Sequence, residues 1–215
     1  MQIYPTMSPL ELGGKQGSAV ALGYFDGIHI GHRSVIGGAV DWAAAHGAAP
    51  AVFTFKLPAG SKIKGRRLFS AEDKHRLVAG LGVEHYLVPA FEDIQAMTPD
   101  QFVRGLVADC QARAFFCGEN FTFGAKAAGN PALLQELCAP LGVEVHILPM
   151  AQYEGKPVSS TRIRAALEGG DIPAANGMLG APYAIRFPVR HGQGLGHTLG
   201  VPTINQIYPD CFYNT

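Results

Sequence analysis

The segment GYFDGIHIGH, which starts at Gly23, combines residue types that phosphate chemistry uses. Gly23 and Gly27 allow sharp turns and a close approach of the backbone to a ligand. Gly31 stands where a helix is predicted to begin, and free N–H groups and the positive end of a helix dipole favour an anion there. His29 and His32 are three residues apart, so both imidazoles can face the same way. The segment therefore predicts a phosphate site whose imidazoles stabilise charge on a phosphoryl group.

A metal site is the alternative interpretation of the His29 and His32 pair. It is less favoured because no third His or Cys ligand is close in sequence. Isolated histidines usually belong to the surface or the core, and that is the expectation for His46, His75, His85, His146 and His191.

A second segment, VSSTRIRAAL, offers a matching set of phosphate ligands at another predicted helix start. Ser159, Ser160 and Thr161 supply hydroxyls and backbone donors, and Arg162 and Arg164 supply guanidinium groups that fit phosphate oxygens. Alone, such serines are ordinary helix caps and such arginines are solvated. Together with the histidine segment, they favour a phosphate site built from two distant parts of the chain.

Predicted strands and helices alternate along most of the chain, which predicts βαβ crossovers and a mostly parallel sheet. Ligands of such sheets bind beyond the carboxyl ends of the strands, where the histidine segment lies. Residues 56–65 lack a helical period and are predicted to be a loop, and residues 184–215 are predicted to be β-like. The predicted strands are 17–25, 49–55, 83–90, 112–118 and 143–149. The predicted helices are 31–47, 70–82, 98–111, 130–142, 160–170 and 171–180.

Composition excludes several classes of function. The chain has 215 residues, 47% of them hydrophobic, and a formal net charge of +0, which gives no support for nucleic-acid or anionic-membrane binding. No apolar run is long enough to span a bilayer, and no secretory leader is recognisable, so a cytoplasmic protein is expected. Oligomeric state is not predicted. Buried free thiols are the expectation for Cys110, Cys117, Cys138 and Cys211.

The two segments resemble the HxGH and (S/I)SSTxxR signatures of the nucleotidyltransferase superfamily. Three stretches narrow the resemblance to bacterial FAD synthetases, the adenylyltransferase half of bifunctional riboflavin kinase/FAD synthetases. These are GYFDGIHIGH, GENFTFGAKAAGN (118–130) and HGQGLGHTLGVPTIN (191–205), and the last is similar to the entry of the riboflavin kinase half. The resemblance covers residues 15–209.

The resemblance implies a Rossmann-like α/β nucleotidyltransferase domain over residues 1–182 and an incomplete riboflavin kinase β segment over 183–215. It implies that the substrates are the small molecules FMN and ATP, that the products are FAD and pyrophosphate, and that Mg²⁺ arrives with ATP. The FMN phosphate would attack the α-phosphorus of ATP in line, without a covalent enzyme intermediate.

The family's motifs also imply roles for individual residues of this chain. Catalytic roles fall to His29, His32, Asn120 and Arg162. ATP or phosphate binding falls to Gly23, Phe25, Asp26, Gly31, Ser159, Ser160, Thr161 and Arg164. Flavin stacking is assigned to Phe55, Phe121 and Phe123, although apolar aromatic residues are more often part of a core. Remnants of the kinase metal site would be Thr203 and Asn205.

Two departures from the family pattern limit these assignments. Many relatives carry a Phe-x-Pro-His-Pro segment after the second strand, whereas this chain reads FTFKLPAG, so either Lys56 replaces the histidine contact or the loop on the flavin side differs. The family's kinase half is a six-stranded barrel, and this sequence ends shortly after Asn205. We therefore expect no riboflavin kinase activity.

Two other functions remain open at this point. One is adenylyl or cytidylyl transfer to another phosphate, such as pantetheine phosphate or nicotinate mononucleotide. The other is non-catalytic binding of a flavin or a nucleotide. The FDG tripeptide and the GENFTFG block favour the flavin branch.

Overall fold

The computed structural model describes residues 1–58 and 67–206. A six-stranded sheet, parallel at every pairing, forms its centre, in the order β1-β4-β3-β2-β5-β6. The strands are β1 (Gln2–Tyr4), β2 (Ser18–Leu22), β3 (Ala49–Phe53), β4 (His85–Leu87), β5 (Ala112–Gly118) and β6 (Glu144–Leu148). This architecture confirms the predicted α/β fold class.

The helices connect and cover the strands. They are α1 (Ile30–His46), α2 (Ala71–Ala79), α3 (Phe91–Ile94), α4 (Pro99–Cys110), α5 (Pro131–Cys138), α6 (Ser160–Glu168), α7 (Ile172–Leu179) and α8 (Leu195–Thr198). Two short antiparallel pairs lie outside the six-stranded sheet: the hairpin of β7 (Gln152–Tyr153) with β8 (Lys156–Pro157), and the pair of β9 (Val189–Arg190) with β10 (Asn205–Gln206), which α8 separates in sequence.

Strand β2 marks the point where the strand order reverses. From β2 the chain builds β3 and β4 on one side, then returns to build β5 and β6 on the other. The connections on the two sides diverge there, so a crevice opens beyond the carboxyl ends of β2 and β5. The segment that begins at Gly23 follows β2 directly and therefore lies at this crevice.

Alternate residues of β2 point to opposite faces of the sheet. Ala19 and Ala21 pack in one buried cluster with α1, while Val20 and Leu22 pack in a second cluster with α4 and α5. All five residues of β2 are buried, as expected for the central strand of a sheet covered on both faces. A third cluster joins α6 and α7 through Ile163, Leu167, Met178 and Leu179 and includes Leu68.

Helix caps explain why two predicted helices begin where they do. The Ser70 side chain accepts a hydrogen bond from the Asp73 N–H and caps α2. Thr98 and Gln101 form a reciprocal capping box at the start of α4, with Pro99 at the first helical position. Both starts confirm the sequence prediction.

Local differences from the sequence prediction have simple causes. Strand β1 and helix α3 were not predicted, since three and four residues are too short to show a period. The predicted strand 17–25 ends at Leu22 because Phe25 has a left-handed backbone (φ +48°). The predicted β-like segment 184–215 holds only the short pair β9 and β10 and helix α8 within its described residues.

Several predictions fall on or beside residues outside the described ranges. The predicted loop 56–65 is described only at 56–58, and Cys211 is not described. The division of the chain at residues 182 and 183 stays a prediction. None of the described helices is both long enough and apolar enough to cross a membrane.

Candidate active site

A pocket of about 390 Å³ opens at the strand-order reversal. The loop after β2, the end of β5, the loop after β6 and the start of α6 contribute its walls. It therefore unites the two segments that the sequence singled out. The predicted residues that line it are Gly23, Phe25, Asp26, His29, Gly31, His32, Phe55, Asn120, Phe121, Ser159, Ser160, Thr161 and Arg164.

The loop after β2 is held in an unusual backbone conformation. Phe25 and Ile28 have positive φ values of 48° and 41°. Both residues are only 1% exposed, so packing fixes a conformation that they seldom adopt. Gly27 has φ +94°, and a Cβ there would lie 2.7 Å from Leu68 Cδ1. The loop thus needs glycine at this position for both conformation and space.

The two histidines form one stacked unit. Their ring centroids are 3.6 Å apart with an interplanar angle of 16°, and the Phe25 ring meets His32 edge-on at 5.2 Å. His29 is the N-cap of α1, and its Nδ1 accepts the His32 backbone N–H at 3.3 Å. Because Nδ1 of His29 is an acceptor, the neutral ring carries its proton on Nε2 and has a donor left for a ligand.

Burial keeps both imidazoles neutral at neutral pH. It lowers the pKa of His29 to about 4. Burial also lowers the pKa of His32 well below its usual value, and the charges of Lys74 and of protonated His29 lower it further. Nδ1 of His32 is buried and has no hydrogen-bond partner among the described residues. The pair therefore offers hydrogen bonds to a phosphate and no net charge of its own.

Helix α6 is joined to the loop after β2 by two polar contacts. The Ser160 hydroxyl donates a 2.5 Å hydrogen bond to the carbonyl oxygen of Asp26. The Arg164 guanidinium forms an ion pair with the Asp26 carboxylate, and the two side chains are 13% and 9% exposed. Ser159 caps α6 by accepting the Arg162 backbone N–H at 3.2 Å. These contacts set the position of the α6 N-terminus, where an anion is favoured.

Arg162 does not point into the pocket. Its guanidinium donates to the carbonyl oxygens of Lys156 at 2.8 Å, Pro157 at 2.7 Å and Tyr153 at 3.5 Å. It therefore holds the β7–β8 hairpin against the start of α6. In the SSTxxR pattern the arginine three residues after Thr161 is Arg164, and that arginine does line the pocket. Arg162 thus lies outside the pocket lining, and its catalytic role stays a prediction.

A second, mostly apolar pocket of about 280 Å³ adjoins the first. Gly23, Phe55, Phe121 and Thr122 line both pockets and form the wall between them. Its further aromatic lining comes from Phe53, Phe91, Phe102 and Phe123. Of the three aromatic residues predicted to stack on a flavin, Phe55 and Phe121 lie at the junction. Phe123 lines the second pocket only and is 6% exposed.

Lys74 and Tyr24 were missed by the sequence analysis. Tyr24 lines the first pocket, and the Nζ of Lys74 lies 5.2 Å from the centre of the Tyr24 ring. In the sequence, Lys74 stands in the polar stretch AEDKHR of a predicted helix and looks like a solvated residue. No sequence signal separates it from ordinary surface lysines, because its neighbours in space come from the loop after β2.

The remaining histidines line neither pocket. His46 stacks on Trp42 at the surface, His85 meets the Tyr4 hydroxyl at 3.2 Å, and His146 stacks on Phe116. His75 lies edge-on to Tyr86. Within residues 1–58 and 67–206, no three His, Cys, Asp or Glu side chains are grouped as metal ligands.

Three other predicted features lie away from both pockets. Lys56 lines neither pocket, and its backbone pairs with Pro89 and Phe91. Thr203 and Asn205 also line neither pocket and are exposed. The described cysteines are buried free thiols, as predicted, namely Cys110, Cys117 and Cys138.

The parallel sheet, the stacked HxGH histidines and the serine-capped α6 define a nucleotidyltransferase-like α/β domain. The chain matches the FAD synthetase family over residues 13–162 and belongs to that family. Residues 179–213 match a second family, riboflavin kinase.

Curated relatives support the same assignment. The chain is 35% identical over 196 residues to the bifunctional riboflavin kinase/FMN adenylyltransferase of Bacillus subtilis, covering 87% of this chain and 61% of the relative. It is 31% identical over 198 residues to the protein of the same name from Escherichia coli K12, covering 89% and 63%. The chain thus spans about three fifths of the length of these relatives.

Two solved structures are similar to the described fold. A crystal structure titled as a macrolide-efflux protein from Streptococcus pneumoniae has a TM-score of 0.84 and 28% identity, covering 99% of this chain and 71% of that chain. A pantoate-beta-alanine ligase from Francisella tularensis has a TM-score of 0.51 and 14% identity, covering 81% and 77%, so it shares the fold alone.

Proposed function

We propose that this chain is an FMN adenylyltransferase, which transfers the adenylyl group of ATP to the phosphate of FMN and releases pyrophosphate. The observation that carries this proposal is the shared wall between two unlike pockets. The pocket of about 390 Å³, called the phosphate pocket from here on, carries groups suited to phosphate. The pocket of about 280 Å³, called the apolar pocket, is apolar and aromatic, and Phe55 and Phe121 separate the two. This pairing suits a substrate that carries a phosphate on a flat aromatic ring system.

The phosphates of ATP would lie against the stacked imidazoles and the helix starts of α1 and α6. A phosphate oxygen of FMN forms a bond to the α-phosphorus while the bond from that phosphorus to the bridging oxygen of pyrophosphate breaks. The attacking phosphate is already ionised, so no general base is required. The Nε2–H of His29 and the N-terminal amides would donate to the oxygens that gain charge in the transition state.

The ring system of FMN would occupy the apolar pocket. The Phe55 ring contacts Tyr24 and Phe91 in tilted arrangements, with ring centroids 5.1 Å and 5.2 Å apart, so a continuous aromatic surface runs from one pocket to the other. Asn120 lines the phosphate pocket beside Phe121 and is suited to hold the FMN phosphate. Offset stacking on such rings stabilises a flat ligand beyond the burial of its area.

Magnesium would enter bound to the phosphates of ATP. Among the described residues that line the phosphate pocket, Asp26 is the acidic one, and Arg164 holds its carboxylate. Mg²⁺ keeps several waters and takes few protein ligands at such sites, so this donor set fits a metal carried by the nucleotide. When bound, the ion neutralises charge on the leaving pyrophosphate.

Riboflavin kinase activity is proposed to be absent from this chain, and the proposed domains are 1–182 and 183–215. Within residues 183–206, the only strands are β9 and β10, with two residues each, which cannot close a barrel. Five large apolar side chains of this segment are exposed: Val189, Leu195, Leu199, Val201 and Ile204. We also propose a cytoplasmic location, where FMN and ATP are both present.

The test is a product assay with the purified chain, ATP and Mg²⁺ and with FMN, riboflavin, nicotinate mononucleotide or phosphopantetheine as acceptor. We expect FAD and pyrophosphate in equal amounts from FMN and no dinucleotide from the other three. Turnover with another phosphate acceptor instead of FMN would overturn the flavin assignment. Tight FMN and ATP binding without any FAD would indicate a binder and overturn the enzymatic proposal.

A further inference from the structure

Lys74 lies in the second turn of α2, close to the phosphate pocket. The start of α2 packs on the loop after β2, where Leu68 Cδ1 occupies the space that a side chain at Gly27 would need. This packing brings the Lys74 Nζ to 5.2 Å from the centre of the Tyr24 ring. A cation over an aromatic face is attracted by the ring quadrupole, more strongly where water is excluded.

The charge of Lys74 has no counterion of its own in the described structure. Burial lowers the pKa of Lys74, the Asp26 carboxylate opposes that shift, and the Arg67 guanidinium adds to it. The Asp26 carboxylate is nevertheless held by Arg164. Across residues 1–58 and 67–206, no carboxylate forms an ion pair with the Lys74 ammonium.

Lys74 also interacts electrostatically with His32. Its positive charge lowers the pKa of His32, after burial and alongside the charge of His29. The groups around Lys74 thus come from several elements. They are Tyr24 and Asp26 after β2, His32 on α1, Arg67 before α2 and His75 on α2.

Among the described residues that line the phosphate pocket, the charged cation is Arg164, and the lining otherwise supplies neutral hydrogen-bond donors. The two imidazoles are neutral, the Arg162 guanidinium binds backbone carbonyls, and Arg164 is paired with Asp26. ATP and FMN together bring several negative charges into the pocket. A partly buried cation next to the loop interacts with such charges far more strongly than a solvated one does.

We propose that Lys74 is a positioning residue of the site, whose ammonium is held over Tyr24 and attracts the polyphosphate of ATP toward the stacked histidines. This inference rests on the proposed adenylyl transfer. The Lys74 ammonium lies next to Tyr24 and Asp26 and attracts the phosphates through its electric field. The imidazoles and the backbone amides make the direct hydrogen bonds to the phosphate oxygens. Lys74 contributes its positive charge and not its particular shape. Lys74→Arg should therefore keep the ATP affinity, and a neutral side chain at this position should lose it.

The experiment compares Lys74→Met, Lys74→Arg and the control Lys15→Met with the unmodified chain. Lys15 is a surface lysine whose Nζ lies 2.5 Å from Glu84 Oε1. Two measurements are made besides FAD formation, namely ATP·Mg²⁺ affinity by calorimetry and the NMR titration of the His32 ring in histidine-labelled protein. If Lys74→Met is insoluble, Lys74→Gln removes the charge with a polar side chain.

In Lys74→Met we expect ATP affinity to fall by about tenfold and the His32 ring to titrate at higher pH. Lys74→Arg should restore both, and Lys15→Met should change neither. Unchanged ATP affinity and an unchanged His32 titration in folded Lys74→Met would overturn the inference. So would a Lys74→Arg variant as defective as Lys74→Met. If the unmodified chain binds ATP but makes no FAD, the proposed function fails, while these two measurements still decide the role of Lys74.

Discussion

The Ser160 hydroxyl donates a 2.5 Å hydrogen bond to the carbonyl oxygen of Asp26, which joins two segments 134 residues apart in sequence. The Arg164–Asp26 ion pair forms a second link between the same segments. The candidate active site therefore depends on tertiary contacts between the loop after β2 and helix α6. Disturbing either link should affect stability and catalysis together.

Removing one partner of the Asp26–Arg164 pair should destabilise the fold. Both side chains are nearly buried. Arg164→Gln therefore removes a nearly buried ion-pair partner of the Asp26 carboxylate, at a cost of about 3 kcal/mol in the free energy of unfolding. Asp26→Asn combined with Arg164→Gln should recover part of that loss. Urea denaturation of the two single variants and the double variant measures the coupling, and strictly additive losses would show that the pair is not coupled.

Substitutions of the two α6 arginines, Arg162 and Arg164, should change different kinetic constants. Arg162→Ala removes hydrogen bonds to the carbonyls of Lys156 and Pro157. At about 1 kcal/mol for each lost hydrogen bond, its unfolding free energy should fall by about 2 kcal/mol. It should raise the KM for ATP more than it lowers kcat, because the hairpin shifts but the reacting groups stay. Arg164→Lys, which keeps the charge but loses the guanidinium fork, should lower kcat. A larger kcat loss in Arg162→Ala than in Arg164→Lys would contradict this division.

Stability should fall as the solution becomes acidic. The pKa of His29 is about 4 in the folded protein and 6.5 ordinarily, so the unfolded chain binds the proton first as pH falls below about 6.5. His29 alone should cost about 3 kcal/mol of unfolding free energy between pH 7 and pH 4. His32, His75 and His85 act in the same direction, because burial lowers their pKa values as well.

The measurement for this prediction is denaturant unfolding at pH 7.5, 6 and 5. Replacing His29 and His32 together by asparagine should flatten much of the pH dependence and leave the contributions of His75 and His85. If the unfolding free energy of the double variant depends on pH as strongly as that of the unmodified chain, other groups cause the acid sensitivity.

The apolar pocket should bind flavin without contributing to ATP binding. Phe91 lines this pocket and not the phosphate pocket. Phe91→Ala should therefore weaken FMN binding by about tenfold through lost stacking and burial, with ATP affinity unchanged. Flavin fluorescence quenching and ATP calorimetry measure the two affinities on the same sample. Equal losses for both ligands would indicate a general disturbance of the fold.

The sequence was sufficient for the fold class and for most of the phosphate pocket, because both depend on local patterns. Buried strands, capped helices and the two glycine- and serine-rich helix starts each leave a signature within about ten residues. The direction of a side chain on a helix depends on its neighbours, so it was not predicted that Arg162 would bind backbone carbonyls outside the pocket. The partial burial of Lys74 was not predicted for the same reason, because the loop around Tyr24 that covers it is distant in sequence.

The histidine pair is the centre of this account, and its direct test is the steady-state rate of FAD formation from FMN and ATP. We expect His29→Ala and His32→Ala each to lower kcat/KM by at least about a hundredfold. The double variant should lose little more, because the stacked rings act as one unit. His46→Ala, which removes a ring at the surface, is the control and should keep full activity. Full activity in folded His29→Ala and His32→Ala would contradict the account.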